Sequence, residues 1–215
     1  MPKIVDHDER RREVLSAARR VIVRDGIDAA TTRAIAKEAG YSNGVLAHYF
    51  ADKDEILLSA LRQSHQRIRE RLARKVAGAT GLAALRELLL DNLPLDAERT
   101  QESRLEVSFW SRSLASERLA EVQRTEADEL RAAVRELLGR ARAAGELRAG
   151  GGNGGGNGDR DGSGNGSGYD DDSLDDLTEH LLALVDGLSL HLLLYPGRLT
   201  RVDVERLMLR ALDRL

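Results

Sequence analysis

The sequence predicts an all-α fold of about nine helices, in which a small tri-helical domain precedes a larger helical domain. Three observations lead to this expectation. The 215 residues are rich in Ala, Leu, Arg and Glu and include only one Trp and two Phe, a composition that favours helices over sheets. Apolar residues recur at spacings of three and four along most of the chain, as on the buried face of a helix. Gly and Pro interrupt these patterns where helices would end.

The first three predicted helices follow one another closely. Apolar residues at helical spacing indicate a helix over 8–25 that ends at Gly26. A second helix is predicted over 32–39, and Gly40 closes it with a left-handed residue. A short third helix follows at 42–49. Two short helices joined by a glycine turn and preceded by a supporting helix are typical of a tri-helical helix-turn-helix domain, which we assign to residues 1–52.

The rest of the chain, residues 53–215, is predicted to form one larger helical domain. A long fourth helix connects it to the first domain, and Pro94 separates the fifth helix from the sixth. The predicted helices span residues 52–76, 82–92, 97–113, 116–144, 174–195 and 201–214.

The predicted helix at 174–195 is apolar on nearly all sides and must therefore be covered twice. Its own domain covers one side. The most economical cover for the other is the same helix of a second subunit, related by a two-fold axis. We therefore expect a homodimer that forms through the helices at about 173–195 and 201–214.

A glycine-rich segment separates the last two helices from the others. Residues 150–168 contain eleven Gly with Asn, Asp and Ser, and such a composition cannot bury apolar surface. We interpret 150–172 as a flexible loop inserted within the larger domain rather than as a domain boundary. A role of its own, such as a tether for a partner, stays open.

Charge is divided unevenly along the chain although the net charge is only −3. Residues 1–78 hold 16 Lys and Arg against 11 Asp and Glu, whereas residues 79–215 hold 17 against 25. A basic amino-terminal part is expected of a module that binds nucleic-acid phosphates, and an acidic remainder stays away from DNA. Uneven helix-surface charge without function is the simpler alternative.

Several function classes are excluded or disfavoured by composition. The chain has no Cys, which excludes disulfides, thiolate catalysis and Cys-based zinc sites and suits the cytoplasm. No signal peptide is recognisable, and no stretch of about 18 apolar residues is free of charge, so no membrane partner is expected. The five His lack metal-ligand spacing, and neither G-x-S-x-G nor a phosphate-binding lysine loop occurs. We therefore expect no metal, no cofactor and no enzyme, and a small helical enzyme is the weakest alternative.

The helix-turn-helix segment carries residue types that suit DNA. A recognition helix needs small or hydrogen-bonding side chains at its start, where base edges lie in the major groove. Polar and basic residues at the two ends of the segment can position it on phosphates. For Thr31 and Ser42 a simple helix-capping role is the competing interpretation. The candidate DNA-binding residues are Thr31, Thr32, Arg33, Ser42, Asn43, Gly44, Val45, His48, Tyr49 and Lys53.

The order of residues in this segment resembles the DNA-binding signature of the TetR family of transcriptional regulators. The resemblance covers about residues 10–62 and includes the stretch TTRAIAKEAGYSNGVLAHYFADKDEILLSAL. Its HYF-x-DK form is most similar to the branch that includes the choline-responsive repressor BetI, as is the later stretch VDGLSLHLLLYPGRLT. The resemblance implies that Asn43 and Val45 contact bases. Many family members carry a phosphate-contacting Tyr where this chain has Ala47, which implies that the contact is lost or transferred to a neighbour.

The family resemblance also implies a ligand-responsive regulator, most simply a repressor that an unidentified small-molecule effector releases from a palindromic operator in double-stranded DNA. Effector binding would move the long fourth helix and change the separation of the two recognition helices. An architectural protein that binds DNA with little regard to sequence is the main alternative. Candidates for lining the effector cavity are Phe109, Trp110, Leu114, Asp186, His191 and Tyr195, although core packing of these side chains competes with that role. A choline-like cation would require an aromatic cage that few side chains here can supply.

Overall fold

The computed structural model describes residues 7–147 and 171–215, and within these ranges it has nine helices and no strand. The predicted all-α fold of about nine helices is confirmed for these residues. The helices are α1 (His7–Asp25), α2 (Thr32–Ala39), α3 (Asn43–Tyr49), α4 (Lys53–Lys75), α5 (Gly81–Asp91), α6 (Ala97–Ser113), α7 (Glu117–Ala143), α8 (Asp171–Leu194) and α9 (Arg201–Leu212).

A flexible loop was predicted for residues 150–172. Residues 150–170 of this loop lie outside the described residues. The loop prediction is wrong for Asp171 and Asp172, which are the first two residues of α8. The physical reason is electrostatic, because carboxylates in the first turn of a helix interact favourably with its macrodipole. The apolar residues at helical spacing begin only at Leu174, so this pattern does not reveal the first turn of α8.

The helices form two compact units. The first unit comprises the described residues up to Arg71 together with Ala97–Ala127, and it therefore extends beyond the predicted domain of residues 1–52. The extension follows from packing, since α6 lies against α1 and contributes to the same core. Buried residues of this core include Val14, Val21, Ile35, Leu46, Leu57, Leu61, Leu105, Phe109 and Leu119.

The second unit comprises Leu72–Asp96 and the described residues from Asp128 onward. Within it α9 lies against both α5 and α8. Its core is almost entirely aliphatic and includes Leu85, Leu89, Leu93, Val134, Leu138, Leu174, Leu181, Val185, Val204 and Met208.

Helix α8 buries only one of its apolar sides within this chain. Leu181, Val185 and Leu188 are buried, whereas Leu194 is 55% exposed at its carboxyl end. On α9, Val202 is 70% exposed and Leu207 is also exposed. Among the described residues α8 is the one helix that is long and apolar enough to cross a membrane, a test that core helices of soluble proteins also pass. The absence of a membrane partner stays a prediction.

Candidate nucleic-acid interface

The turn between α2 and α3 is formed by the residues predicted for it. Thr31 has an extended backbone, and its hydroxyl accepts a hydrogen bond from the Ala34 amide at 3.1 Å. Gly40 has a φ of 75°, in the left-handed region that favours glycine. Its amide and that of Tyr41 donate to carbonyls of the last turn of α2. The turn is thereby closed by backbone hydrogen bonds, and Thr31 serves as a helix cap.

The first residues of α3 are available to a partner. Ser42, Asn43 and Gly44 are exposed, and Ser42 precedes the helix without forming a side-chain capping bond. Val45 is half-buried, whereas Leu46 is buried in the core of the amino-terminal unit. Because Leu46 anchors the helix from one side, the polar side chains at its start face away from the core.

A concave surface lies beside the start of α3. A depression of about 540 Å³ is lined by Arg33, Ala36, Lys37, Tyr41 and Asn43. The two cations suit phosphate oxygens, and Asn43 supplies an amide that can both donate and accept. Lys37 and Tyr41 were not among the residues predicted from the sequence. Lys37 could have been found, because it lies four residues after Arg33 and so on the same face of α2.

The other end of α3 carries a cluster of aromatic rings. The rings of His48 and Tyr49 lie 5.4 Å apart, and the ring of His7 lies 5.5 Å from that of Tyr49 and 6.1 Å from that of His48. His7 begins α1, and no periodicity signals that it approaches α3. Lys53, half-buried, is the first residue of α4. The predicted contact residues thus lie at the two ends of α3 and at the start of α2.

Ion pairs connect α1 to α2 on the outside of the unit. Arg20 and Arg24 both approach the carboxylate of Glu38, at 2.7 and 2.9 Å. Hydrogen bonds from these two guanidinium groups hold the pKa of Glu38 below its ordinary value. Exposed pairs of this kind stabilise little individually. They favour one orientation of α2 relative to the supporting helix.

Two family models match the chain. The first, described as bacterial regulatory proteins of the tetR family, matches residues 14–60. The second, described as the carboxy-terminal part of BetI-type transcriptional repressors, matches residues 81–152 and 160–215. The chain belongs to the TetR family. The resemblance seen in the helix-turn-helix is confirmed, and the BetI-type similarity extends over the second half of the chain.

Curated relatives of this TetR-family chain are transcriptional regulators. The HTH-type transcriptional regulator PksA of Bacillus subtilis (strain 168) is 27% identical over 214 residues, which cover 99% of this chain and 93% of PksA. BetI of Stenotrophomonas maltophilia (strain R551-3) is 35% identical over 126 residues, which cover 58% of this chain and 64% of BetI. The chain is accordingly a transcriptional regulator and is related to regulators rather than to enzymes.

Solved structures share the same fold. A regulator from Rhodococcus sp. Rha1 superimposes with a TM-score of 0.75 at 24% identity and covers 94% of both chains. A protein from Saccharomonospora viridis, described as a transcriptional regulator in complex with choline, superimposes with a TM-score of 0.81 at 21% identity and covers 96% of both chains. At these identities the likeness concerns the fold, and it confirms the predicted all-α TetR architecture.

Ala47, where many TetR-family members carry a Tyr, is exposed on α3. The adjacent His48 is also exposed, and its ring contacts that of Tyr49. His48 and Tyr49 follow directly after Ala47, the position at which many family members carry the Tyr. Transfer of the phosphate contact to His48 or Tyr49 therefore stays a prediction that the geometry permits.

The six candidates for the effector cavity of this TetR-family chain fall into both units. In the first unit Phe109 is completely buried in the core, and Leu114 is 91% exposed in the turn after α6. Trp110 is half-buried, and its Nε1 donates to Glu106 Oε1 at 3.2 Å. These positions favour a core role for Phe109 and a surface role for Leu114.

The three candidates in the second unit lie on or just after α8. Asp186, His191 and Tyr195 are exposed. The rings of His191 and Tyr195 are 5.3 Å apart, and the Arg198 guanidinium lies 5.4 Å from the centre of the Tyr195 ring. This group adjoins the uncovered apolar surface of α8. Effector binding by any of the six residues stays a prediction.

A buried polar cluster that sequence reasoning missed lies in the first unit. His65 on α4 is only 9% exposed, and its Nε2 lies 2.9 Å from Glu106 Oε2 on α6. Its Nδ1 lies 3.3 Å from Glu126 Oε1 on α7 without the geometry of a hydrogen bond. Arg69 Nη1 donates to the second oxygen of Glu126 at 2.6 Å. His65 therefore connects three helices.

His65 could have been noticed in the sequence. It lies four residues after Leu61, at a position where the buried stripe of α4 would place another apolar residue. A polar residue at such a position requires partners when it is buried. The partners themselves lie on α6 and α7 and could not be read from local periodicity.

The charge of His65 is expected to make stability depend on pH. Burial lowers the pKa of His65, but the carboxylates of Glu106 and Glu126 outweigh it, so the pKa lies above its ordinary value of 6.5. The stabilising contribution of the imidazolium is therefore complete below pH 6.5 and is lost as the pH rises through the raised pKa of the folded protein. We expect the gap in unfolding free energy between wild type and His65→Gln to shrink over that range.

Denaturant titrations at a series of pH values measure this gap. Glu106→Gln is the matched partner variant, because it removes the carboxylate that bonds to Nε2 and should flatten the pH dependence. Stability profiles of wild type and His65→Gln that run parallel across the range would show that His65 does not change its protonation on unfolding.

Proposed function

We propose that this TetR-family regulator is a repressor that binds a palindromic operator as a homodimer and is released by a small-molecule effector. The observation that carries the proposal is the exposed start of α3, where Ser42, Asn43 and Gly44 are presented beside the basic depression lined by Arg33 and Lys37. An amide at the start of a short helix and cations beside it match the division between base reading and phosphate positioning in DNA recognition.

We assign base contacts to Asn43 and Val45, and positioning contacts to the other predicted residues of the interface and to Lys37, which lines the depression beside α3. Thr32, Arg33 and Lys37 belong to α2, whereas His48 and Tyr49 end α3 and Lys53 begins α4. Positive charge at both ends of the recognition helix supports two separate phosphate contacts. The DNA-binding domain remains residues 1–52, supported in its orientation by the rest of the amino-terminal unit.

Dimerisation through α8 and α9 is supported by apolar surface that the chain leaves uncovered. Leu194, Val202 and Leu207 are all exposed although each is a large aliphatic residue. Exposed aliphatic side chains on two adjacent helices are typical of a protein interface. A two-fold pair would present two recognition helices to the two halves of a palindrome.

The effector is proposed as a small organic molecule that acts in the cytoplasm, where the regulated DNA lies. The BetI-type match over residues 81–152 and 160–215 and the choline bound to the Saccharomonospora viridis structure support a ligand-responsive carboxy-terminal half. An aromatic cage for choline is disfavoured here, because Phe109 has no exposed surface and Tyr195 lies in solvent. Thermal shifts with a panel of metabolites that includes choline would identify the ligand class.

Asn43→Ala and Lys53→Ala should separate base reading from phosphate positioning. Loss of Asn43 is expected to weaken binding to the selected operator by about 1–3 kcal/mol and to leave binding to random duplex unchanged. Loss of Lys53 should weaken both equally and reduce the salt slope by about one. Gel shifts of each variant with operator and random duplex, at several salt concentrations, measure both effects.

If Asn43→Ala prefers the operator over random duplex as strongly as wild type does, α3 is not the recognition helix. Wild-type binding to random duplex as tight as to any selected site would favour the architectural alternative instead.

A further inference from the structure

Arg11, on α1, contacts the recognition helix at its last residue. Its Nη1 donates a hydrogen bond to the backbone carbonyl of Tyr49 at 2.8 Å. The carbonyls of the last turn of a helix have no partner within the helix, and a cation there also interacts favourably with the helix dipole. The charged end of Arg11 thus satisfies an acceptor of α3 that would otherwise require water.

The same guanidinium group reaches the start of α4. Its Nη2 donates to Glu55 Oε1 at 3.1 Å and to Ser59 Oγ at 3.2 Å. The second oxygen of Glu55 accepts a hydrogen bond from the Ala51 amide at 2.7 Å, in the short link between α3 and α4. Arg11 and Glu55 therefore hold the link from both sides.

A third contact fixes the plane of the Arg11 side chain. The guanidinium carbon lies 4.3 Å from the centre of the Phe50 ring, and Phe50 is buried in the core just after α3. Stacking on Phe50 orients the fork that donates to Tyr49, Glu55 and Ser59. A lysine could supply a charge here but neither the planar stack nor two diverging nitrogens.

We propose that Arg11 is a positioning residue that sets the orientation of α3 on operator DNA without contacting the DNA itself. The inference rests on the proposed function of α3 as the recognition helix. Its donors are directed to Tyr49, Glu55 and Ser59 within the protein, and its side chain is half-buried. Without these contacts α3 could tilt. A tilt would weaken the contacts of α3 with base edges more than the attraction of the protein to DNA phosphates.

The test compares Arg11→Lys and Ser59→Ala with wild type in the whole 215-residue chain. Arg11→Lys keeps the positive charge but loses the stack and the fork, whereas Ser59→Ala removes a single acceptor. Arg140→Lys is the matched control, because Arg140 is exposed on α7 and pairs with Glu136 of the same helix rather than with the helix-turn-helix. Dissociation constants are measured for the operator that wild type selects and for random duplex, at several salt concentrations, with thermal melts beside them.

Arg11→Lys is expected to weaken operator binding about tenfold while binding to random duplex and the salt slope stay unchanged. Ser59→Ala should show the same pattern about two- to threefold, and Arg140→Lys should match wild type. Parallel losses on operator and random duplex with a shallower salt slope would make Arg11 a phosphate contact and overturn the proposal.

An unchanged ratio of operator to random-duplex affinity in Arg11→Lys and Ser59→Ala would also overturn it. If Arg11→Lys does not fold, Ser59→Ala decides alone. A wild-type protein that selects no site would instead refute the proposed function, and the inference with it.

Discussion

The double variant Leu194→Glu, Leu207→Glu is expected to be monomeric and to lose at least about 100-fold in affinity for a two-half-site operator. Both side chains are exposed in the single chain, so the substitutions need not disturb its own core. In a symmetric pair each glutamate would be present twice in an apolar interface, where unpaired charges are strongly unfavourable. Without the pair, each recognition helix binds its half-site alone and the gain from simultaneous binding is lost.

Sedimentation equilibrium and gel shifts measure the two parts of this prediction. Ala83→Glu, at an exposed position of α5, adds one charge outside the apolar surface and should leave mass and operator affinity unchanged. A double variant that remains dimeric would place the interface elsewhere. A monomeric variant with undiminished operator affinity would show that dimerisation is dispensable for DNA binding.

Phe109→Ala is expected to lower the free energy of unfolding by about 3–5 kcal/mol. Phe109 is completely buried in the cluster that contains Val14, Val21 and Leu57, so its removal leaves a cavity among α1, α4 and α6. Because small domains are stable by only about 5–15 kcal/mol, this loss is a large part of the total. The helix-turn-helix belongs to the same core, so DNA binding should fail at lower temperature than in wild type.

Denaturant unfolding of Phe109→Ala and of the milder Phe109→Leu measures this cost. Leucine keeps most of the buried apolar volume and should retain most of the stability. A Phe109→Ala protein that is as stable as wild type but no longer responds to the effector would contradict this account and support the predicted role of Phe109 in lining the effector cavity.

Phe109 illustrates what could not be predicted from the sequence. Helical spacing identifies it as a residue of one face of α6, but spacing does not say which other helix that face meets. Only the packing of α6 against α1 shows that it belongs to the amino-terminal core. The same long-range contact explains why the first compact unit extends beyond residue 52.

Local features of the helix-turn-helix were predictable because their causes are local. A left-handed residue after α2 requires glycine, which fixes the turn at Gly40, and an extended Thr31 marks the start of α2. The partners of Arg11 and His65, by contrast, lie more than 35 residues away along the chain. Side-chain networks between distant helices leave no periodic signal.

The uncovered surface of α8 and α9 was foreseen for a physical reason as well. A helix that is apolar on nearly all sides must be buried on two opposite sides, and the other helices of one chain bury only one of them. The structure buries Leu181 and Val185 and leaves Leu194 in solvent.

Selection from a pool of random duplexes tests the central claim most directly. The 215-residue chain is mixed with the pool at physiological salt, and the bound DNA is sequenced. The account predicts one enriched palindrome with half-site centres about one helical turn apart, roughly 34–36 Å. Enrichment of no motif, or of a single unrepeated half-site bound by one chain, would contradict it.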